Sequence, residues 1–81
     1  MKNLKIREIV KITNWINFVT KSKSSVTTSF KGKKLKAALI EYELDYVRVE
    51  FDGEHLLTIC VTPTPSSIGV ESIIKKIQNI L

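Results

Sequence analysis

The sequence predicts an α+β domain in which an N-terminal helix, a four-stranded antiparallel meander and a C-terminal helix follow one another. Apolar residues recur at helical spacing at both ends of the chain, and they alternate with polar residues in between. The length of 81 residues leaves room for one small domain, 1–81, and the 43% hydrophobic and 26% charged residues are ordinary for a globular chain. A multi-domain enzyme and a disordered chain are therefore excluded.

The first helix is predicted over residues 3–20, with Asn3 as its cap. Its apolar stripe, about 140° wide, consists of Leu4, Ile9, Ile12, Trp15, Ile16 and Val19. Three further apolar residues, Ile6, Val10 and Phe18, lie off that stripe. They predict either an interface with a second subunit or partner, or a helix edge that a neighbouring loop covers.

The middle of the chain is predicted to form strands, with a basic Ser/Lys-rich hairpin over 21–36 and further antiparallel strands over 36–62. Period-two alternation from Val26 to Phe30 and the turn signal at Lys31-Gly32-Lys33 support the hairpin. Residues 35–43 fit a helix or a strand by spacing, and the strand is preferred because the flanking strands need neighbours. Asp52-Gly53 predicts the next hairpin.

Residues 55–62 carry apolar side chains of both parities. This pattern predicts a central strand covered on both faces, or a strand with one face used in dimerisation. The same run contains Cys60, the single cysteine, which excludes an intramolecular disulfide and indicates a reducing, intracellular setting. Its apolar neighbours predict a buried structural role for the thiol.

The last helix is predicted over residues 66–81, capped by Ser66 or Ser67. Gly69, in its first turn, predicts a close approach of the backbone to a neighbouring element. At the other end of the chain, charged residues interrupt every candidate signal segment, and no 18-residue apolar stretch exists. We therefore expect a soluble cytoplasmic protein without membrane contact.

The charge is strongly polarised along the chain. Residues 1–36 contain ten Lys and Arg against one acidic residue, a net charge of +9, whereas 37–81 contain three against seven, a net of −4, which together give the +5 of the whole chain. This division favours either a nucleic-acid partner or an acidic protein for the basic half. It also allows assembly of copies through opposite charges, with a homodimer as the expected state.

The densest basic segment is 21–36, which holds six lysines, several hydroxyl groups, one aromatic residue and no acid. Lysines neutralise phosphates, hydroxyls donate to phosphate oxygens and an aromatic ring stacks on a base. The expected nucleic-acid contacts are Lys21, Lys23, Phe30, Lys31, Lys33, Lys34 and Lys36. The alternative is that a Lys-rich edge only prevents edge-to-edge aggregation.

The sequence predicts no catalytic or metal-binding constellation. His55 is the lone histidine, with no Ser or Cys motif to pair with it. Gly32-Lys33-Lys34 lacks the first glycine and the Ser/Thr of a nucleotide-binding loop. We therefore expect no enzyme activity, no cofactor and no metal.

Phe30-Lys31-Gly32-Lys33, followed by Leu35 and Ile40-Glu41-Tyr42, resembles the single-stranded-DNA-binding domain of the positive cofactor four family of transcriptional coactivators. The resemblance implies a curved four-stranded sheet with one helix, which dimerises and holds single strands with basic and aromatic strand residues. It implies nucleic-acid contacts at Phe30, Lys31 and Lys33, and a dimer helix over 66–81 with Ile73 and Ile77 in the interface.

Residues 36–81 are also similar to the C-terminal half of roadblock-type dynein light-chain domains. The likeness lies in a strand pair ending at Asp52-Gly53, an apolar strand over 56–61, and Ser67-Ile68-Gly69 opening an amphipathic helix. It implies a dimeric adaptor for Ras-like GTPases. The leading expectation is thus a small non-enzymatic protein that binds nucleic acid, with single strands favoured; the alternative is a protein-interaction module, either such an adaptor or a small inhibitor of an acidic protein.

Overall fold

The structure, a computed structural model, describes residues 3–81. Helix α1 spans Ile6–Ser22, strands β1 to β4 span Val26–Phe30, Lys33–Glu41, Asp45–Phe51 and Glu54–Cys60, and helix α2 spans Ser67–Ile80. The α+β class and the order of elements are therefore confirmed. Met1 and Lys2, which were counted in the basic half of the sequence, lie outside the described residues.

The four strands form one antiparallel sheet in the order β1-β2-β3-β4. Both predicted hairpin turns are present, and both of their central residues have positive φ: 51° and 77° at Lys31 and Gly32, 54° and 84° at Asp52 and Gly53. Positive φ at both central residues is what a two-residue turn of type I′ requires, and this type is favoured in hairpins because its twist matches that of the flanking strands. The strand preference for residues 35–43 is confirmed as far as Glu41, where β2 ends; residues 42 and 43 belong to the turn that follows.

Helix α1 begins later than predicted. Its N-cap is Lys5, not Asn3, and the backbone N–H of Lys5 donates to Glu8 Oε1 over 2.8 Å. The extended backbone before the helix lets Leu4 enter the core, where it is buried. The cap position is thus set by the need to bury Leu4 and by the carboxylate three residues after Lys5.

Both helices lie over one face of the sheet and contact each other. The core joins buried side chains of the helices, such as Ile12 and Ile16, to those of the strands, such as Leu35 and Phe51. Ile73 and Ile77 of α2 are 0% exposed and belong to this core. The expectation that these two residues form an interface is therefore wrong, because the core of their own domain already covers them.

Strand β4 is an edge strand and not a central one, because it pairs only with β3 among the described residues. Val49 pairs with Leu57, but its neighbour Glu50 pairs with His55, so Leu56 is an extra residue at a β-bulge. Leu56 is buried and Leu57 half-buried. The bulge, rather than coverage of both faces, explains apolar residues of both parities in this strand.

The start of α2 follows the prediction. Ser66 is the N-cap, and its hydroxyl oxygen accepts a hydrogen bond from the backbone N–H of Gly69 over 3.0 Å. A Cβ added at Gly69 would lie 3.2 Å from Ile59 Cγ2, which confirms the close approach of this backbone to β4. None of the helices within residues 3–81 has the length and apolar character that a bilayer crossing requires.

Candidate nucleic-acid interface

Neither helix within residues 3–81 covers the second face of the sheet. The register places alternate strand residues there, and each of them is exposed or half-buried. We call this surface the open face; it comprises Thr27, Ser29, Lys34, Lys36, Ala38, Ile40, Tyr46, Arg48, Glu50, His55, Thr58 and Cys60. Cys60 is only half-buried on this face, so the buried role expected for its thiol is corrected.

One end of the open face is basic and rich in hydroxyl groups. Ser29 of β1 lies opposite Lys34 of β2, and Thr27 lies opposite Lys36. Both lysines are exposed, and neither forms an ion pair within residues 3–81. On the other side of β2, Lys36 lies opposite Glu50, whose carboxylate is 3.4 Å from Arg48 Nε.

Three of the other predicted lysines are already paired with carboxylates. Lys31 Nζ is 2.8 Å from Glu8 Oε2, Lys33 Nζ is 3.1 Å from Asp52 Oδ2, and Lys23 forms an ion pair with Asp45. The basic segment contains no acid, but the fold brings acids to it from α1 and from the third strand and the turn that follows it. The hydrogen bond from Lys31, together with that from the backbone N–H of Lys5, lowers the pKa of Glu8.

The six predicted lysines do not form one patch. Lys34 and Lys36 lie on the open face, whereas Lys31 and Lys33 flank Gly32 at the tip of the first hairpin. Lys21 and Lys23 lie at the C-terminal end of α1, where they line a surface groove with Pro63 and Pro65. The structure thus reduces the candidate phosphate site to the two lysines on the open face, with the hairpin tip beside them.

Phe30 cannot stack on a base in this structure. Its side chain is 3% exposed and packs edge-to-face on Phe51, with 6.4 Å between ring centroids. The Nζ atom of Lys11 lies 5.8 Å from the Phe30 ring centroid and donates to the carbonyl oxygen of Ser29. The predicted role of Phe30 is corrected, because its position in β1 points it into the core together with Val26 and Thr28.

Two aromatic rings that reach solvent beside the open face lie at the β2–β3 turn, where Tyr42 is exposed and Tyr46 half-buried. Tyr42 and Tyr46 meet edge-to-face, with centroids 6.3 Å apart and an interplanar angle of 63°. They line a shallow groove of about 460 Å³ whose other walls are formed by Ile40, Glu43, Leu44 and Thr58. One feature of the sequence indicates part of this groove: Tyr46 precedes the inward-facing Val47 and therefore falls on the outer face of its strand.

A second exposed apolar surface lies on α1, away from the sheet. Ile6, Val10 and Phe18 are 81%, 48% and 57% exposed, so the off-stripe residues are not covered by a loop in the described chain. They lie on one row of side chains spaced four residues apart, which winds slowly around the helix and in which Asn14 separates Val10 from Phe18. We call them the α1 ridge.

Within residues 3–81 no group of three or more His, Cys, Asp or Glu side chains converges as a metal site. His55 Nε2 lies 3.2 Å from Thr58 Oγ1 at the surface. The class that the fold and site define is an α+β domain with two helices on one sheet face and lysines and tyrosines on the other. Comparisons with protein-family models, curated proteins and solved structures find no match to this chain.

Proposed function

We propose that this protein binds nucleic acid through the basic end of its open face, by contact with phosphates and with little sequence readout. The observation that supports it is the pair Lys34 and Lys36, exposed on one strand, free of ion pairs within the described chain, and opposite the hydroxyls of Ser29 and Thr27. Lysine ammonium groups and hydroxyl donors are the groups that contact backbone phosphates.

The lysines at the hairpin tip assist this surface but contribute less. Lys31 and Lys33 must exchange a carboxylate partner for a phosphate, whereas Lys34 and Lys36 gain a partner where they had none. An exposed ion pair is worth only about 0–1 kcal/mol, so this exchange is feasible. Most of the salt-dependent affinity is therefore assigned to the two lysines of the open face.

The test is the affinity of the purified protein for a fluorescent single strand, measured by anisotropy at about 50 to 200 mM salt. The variant Lys34→Ala/Lys36→Ala removes the proposed contacts. The matched control, Lys75→Ala/Lys76→Ala, removes the same charge from exposed positions on α2.

The open-face variant should bind about tenfold or more weakly at the lowest salt, because it releases fewer counterions. The slope of log affinity against log salt should flatten by about 1.4, at about 0.7 for each lost single-strand phosphate contact. The α2 control should keep the wild-type slope. Absence of binding at low salt, or equal losses in both variants, would refute the proposal.

The α1 ridge supports a second candidate function, a protein-interaction module. Ile6, Val10 and Phe18 form exposed apolar surface on a helix that already buries its other stripe in the core. A protein partner, or a second copy in a homodimer, would cover it. Val10→Glu would then abolish capture of a protein from nuclease-treated lysate, whereas a nucleic-acid ligand would be lost with nuclease alone.

A further inference from the structure

We infer that the groove around Tyr42 and Tyr46 is a stacking site for unpaired nucleobases, so that the ligand of the open face is single-stranded. This inference rests on the proposed function, and it adds to it the class of nucleic acid and the place where the bases bind. It depends on how the groove is joined to the two lysines, on the exposed ring faces and on the distribution of charge.

Strand β2 leads from the two lysines to the groove, and both lie on the same face of the sheet. Alternate residues of β2 on that face run from Lys34 and Lys36 through Ala38 to Ile40, and Tyr42 follows at the end of the strand. At about 3.3 Å per residue, Tyr42 is roughly 20 Å from Lys36 along the strand. Ala38, which lies between Lys36 and Tyr42, has a small side chain that does not obstruct the path. One extended nucleic-acid strand can therefore contact the lysines and the groove together.

The rings are arranged for stacking from solvent. Tyr42 is 77% exposed, and its edge-to-face contact with Tyr46 leaves ring surface free. Ile40 and Leu44 add flat apolar surface beside the rings. A volume of about 460 Å³ falls within the usual range for small-ligand sites. Base–aromatic stacking tolerates any base, which agrees with binding that reads little sequence.

The distribution of charge favours phosphates along the middle of the open face and bases in the groove. Arg48 lies between the two ends of the open face, opposite Ala38 on one side and Thr58 on the other. Its guanidinium extends the cationic row toward the groove, but it pairs with Glu50 over 3.4 Å and must exchange that carboxylate for a phosphate, as Lys31 and Lys33 must. The carboxylate of Glu43 at the groove wall disfavours a phosphate there. The backbone is thus expected along Lys34, Lys36 and Arg48, with its bases turned into the groove.

The observations favour this occupant over a second copy of the chain. A copy seated on the whole open face would remove the ammonium groups of Lys34 and Lys36 from water, and the carboxylate that the open face itself offers, Glu50, is already paired with Arg48 within residues 3–81. Burying an unpaired charge is costly, whereas a phosphate strand neutralises it. In a nucleic-acid duplex the flat faces of the bases are stacked on one another everywhere except at the ends. Only a single strand therefore has base faces free to stack on Tyr42.

The experiment compares single strands and duplexes of about 12 nucleotides, with anisotropy as the readout. It uses the full-length wild type, Tyr42→Ala and Tyr42→Phe, with Phe18→Ala as a matched control that removes an exposed aromatic ring from α1. An additional single strand carries abasic sugars in place of all bases, so its phosphates are kept. The fluorescence of the buried Trp15 reports that each variant is folded.

Tyr42→Ala should weaken single-strand binding by roughly 5-fold to 100-fold and leave duplex binding unchanged, while Tyr42→Phe and Phe18→Ala should match the wild type. The wild type should bind the abasic strand as weakly as Tyr42→Ala binds the normal single strand. Tyr42→Ala should bind the abasic and the normal single strand with equal affinity, because the stacking contact is already lost. If Tyr42→Ala binds the single strand as tightly as the wild type, or weakens duplex and abasic binding equally, the stacking site is refuted while the proposed function stands. If no nucleic acid binds at low salt, the proposed function itself fails. A dimer that Tyr42→Ala dissociates in sedimentation would assign the groove to a second copy and overturn the inference.

Discussion

Replacing Phe30 by leucine separates a core role of this ring from a role in ligand binding. The ring is 3% exposed and meets Phe51 edge-to-face at 6.4 Å. An edge-to-face pair is worth about 0.5–1.5 kcal/mol beyond its area, and leucine, which has three fewer side-chain carbons than phenylalanine, leaves a partly filled site that adds about 0.5–1 kcal/mol. We therefore expect Phe30→Leu to lower the free energy of unfolding by about 1–2 kcal/mol.

In a domain of this size, about 1 kcal/mol shifts the midpoint of thermal unfolding by about 4–8 °C, so Phe30→Leu should melt roughly 5 to 15 °C lower. Circular dichroism measures the melting, and Phe18→Leu at the exposed end of α1 is the control that should stay within about 0.5 kcal/mol of the wild type. Single-strand affinity below the transition should be unchanged. An unchanged melting temperature with a weakened affinity would show that Phe30 contacts the ligand instead of the core.

Three further substitutions test the local structure by urea unfolding. Ser66→Ala should cost about 0.5–2 kcal/mol, because it removes the cap that accepts from Gly69. Gly69→Ala should destabilise although alanine favours helices, since its Cβ would be 3.2 Å from Ile59 Cγ2 on a stiff, buried side chain; a stabilised variant would contradict this contact. Glu8→Gln should lose less stability than the wild type on acidification. The pKa of Glu8 is lowered in the folded protein, so its carboxylate stabilises the fold fully above the unfolded-state pKa of about 4.3. That contribution disappears as the pH falls through the folded-state pKa. Identical pH profiles would refute a folded-state ion pair with Lys31.

The element order could be predicted because its signals are local. Lys31-Gly32 and Asp52-Gly53 supply positive φ at both hairpin turns, and a hydroxyl stands before α2 to cap it. Each of these residues acts on its immediate neighbours, so spacing alone carries the information. The ambiguous segment 35–43 was decided by the same local context.

Features that depend on partners distant in sequence could not be predicted in this way. The bulge at Leu56 arises from the register with β3, and a single strand's pattern does not contain that register. Glu8 and Asp52 pair with Lys31 and Lys33 across 23 and 19 residues of chain, so a segment that is acid-free in sequence is partly neutralised in space.

The candidate site was predicted from composition, and the fold distributes its residues over separate surfaces. Lys34 and Lys36 lie on the open face, but the ring grouped with them in sequence, Phe30, follows the parity that fills the core. Tyr42 and Tyr46 take its place at the surface. Parity within a strand, rather than proximity to lysines, was the property that separated a core aromatic ring from a surface one.

Amide chemical shifts of the ¹⁵N-labelled protein, mapped during titration with a short oligothymidine, show directly where a single strand binds. The largest changes should follow the open face, from Lys34 and Lys36 through Arg48 to Tyr42, while the amides of α1 and α2 keep their shifts. Changes concentrated on the α1 ridge, with Lys34 and Lys36 unaffected, would contradict binding at the open face.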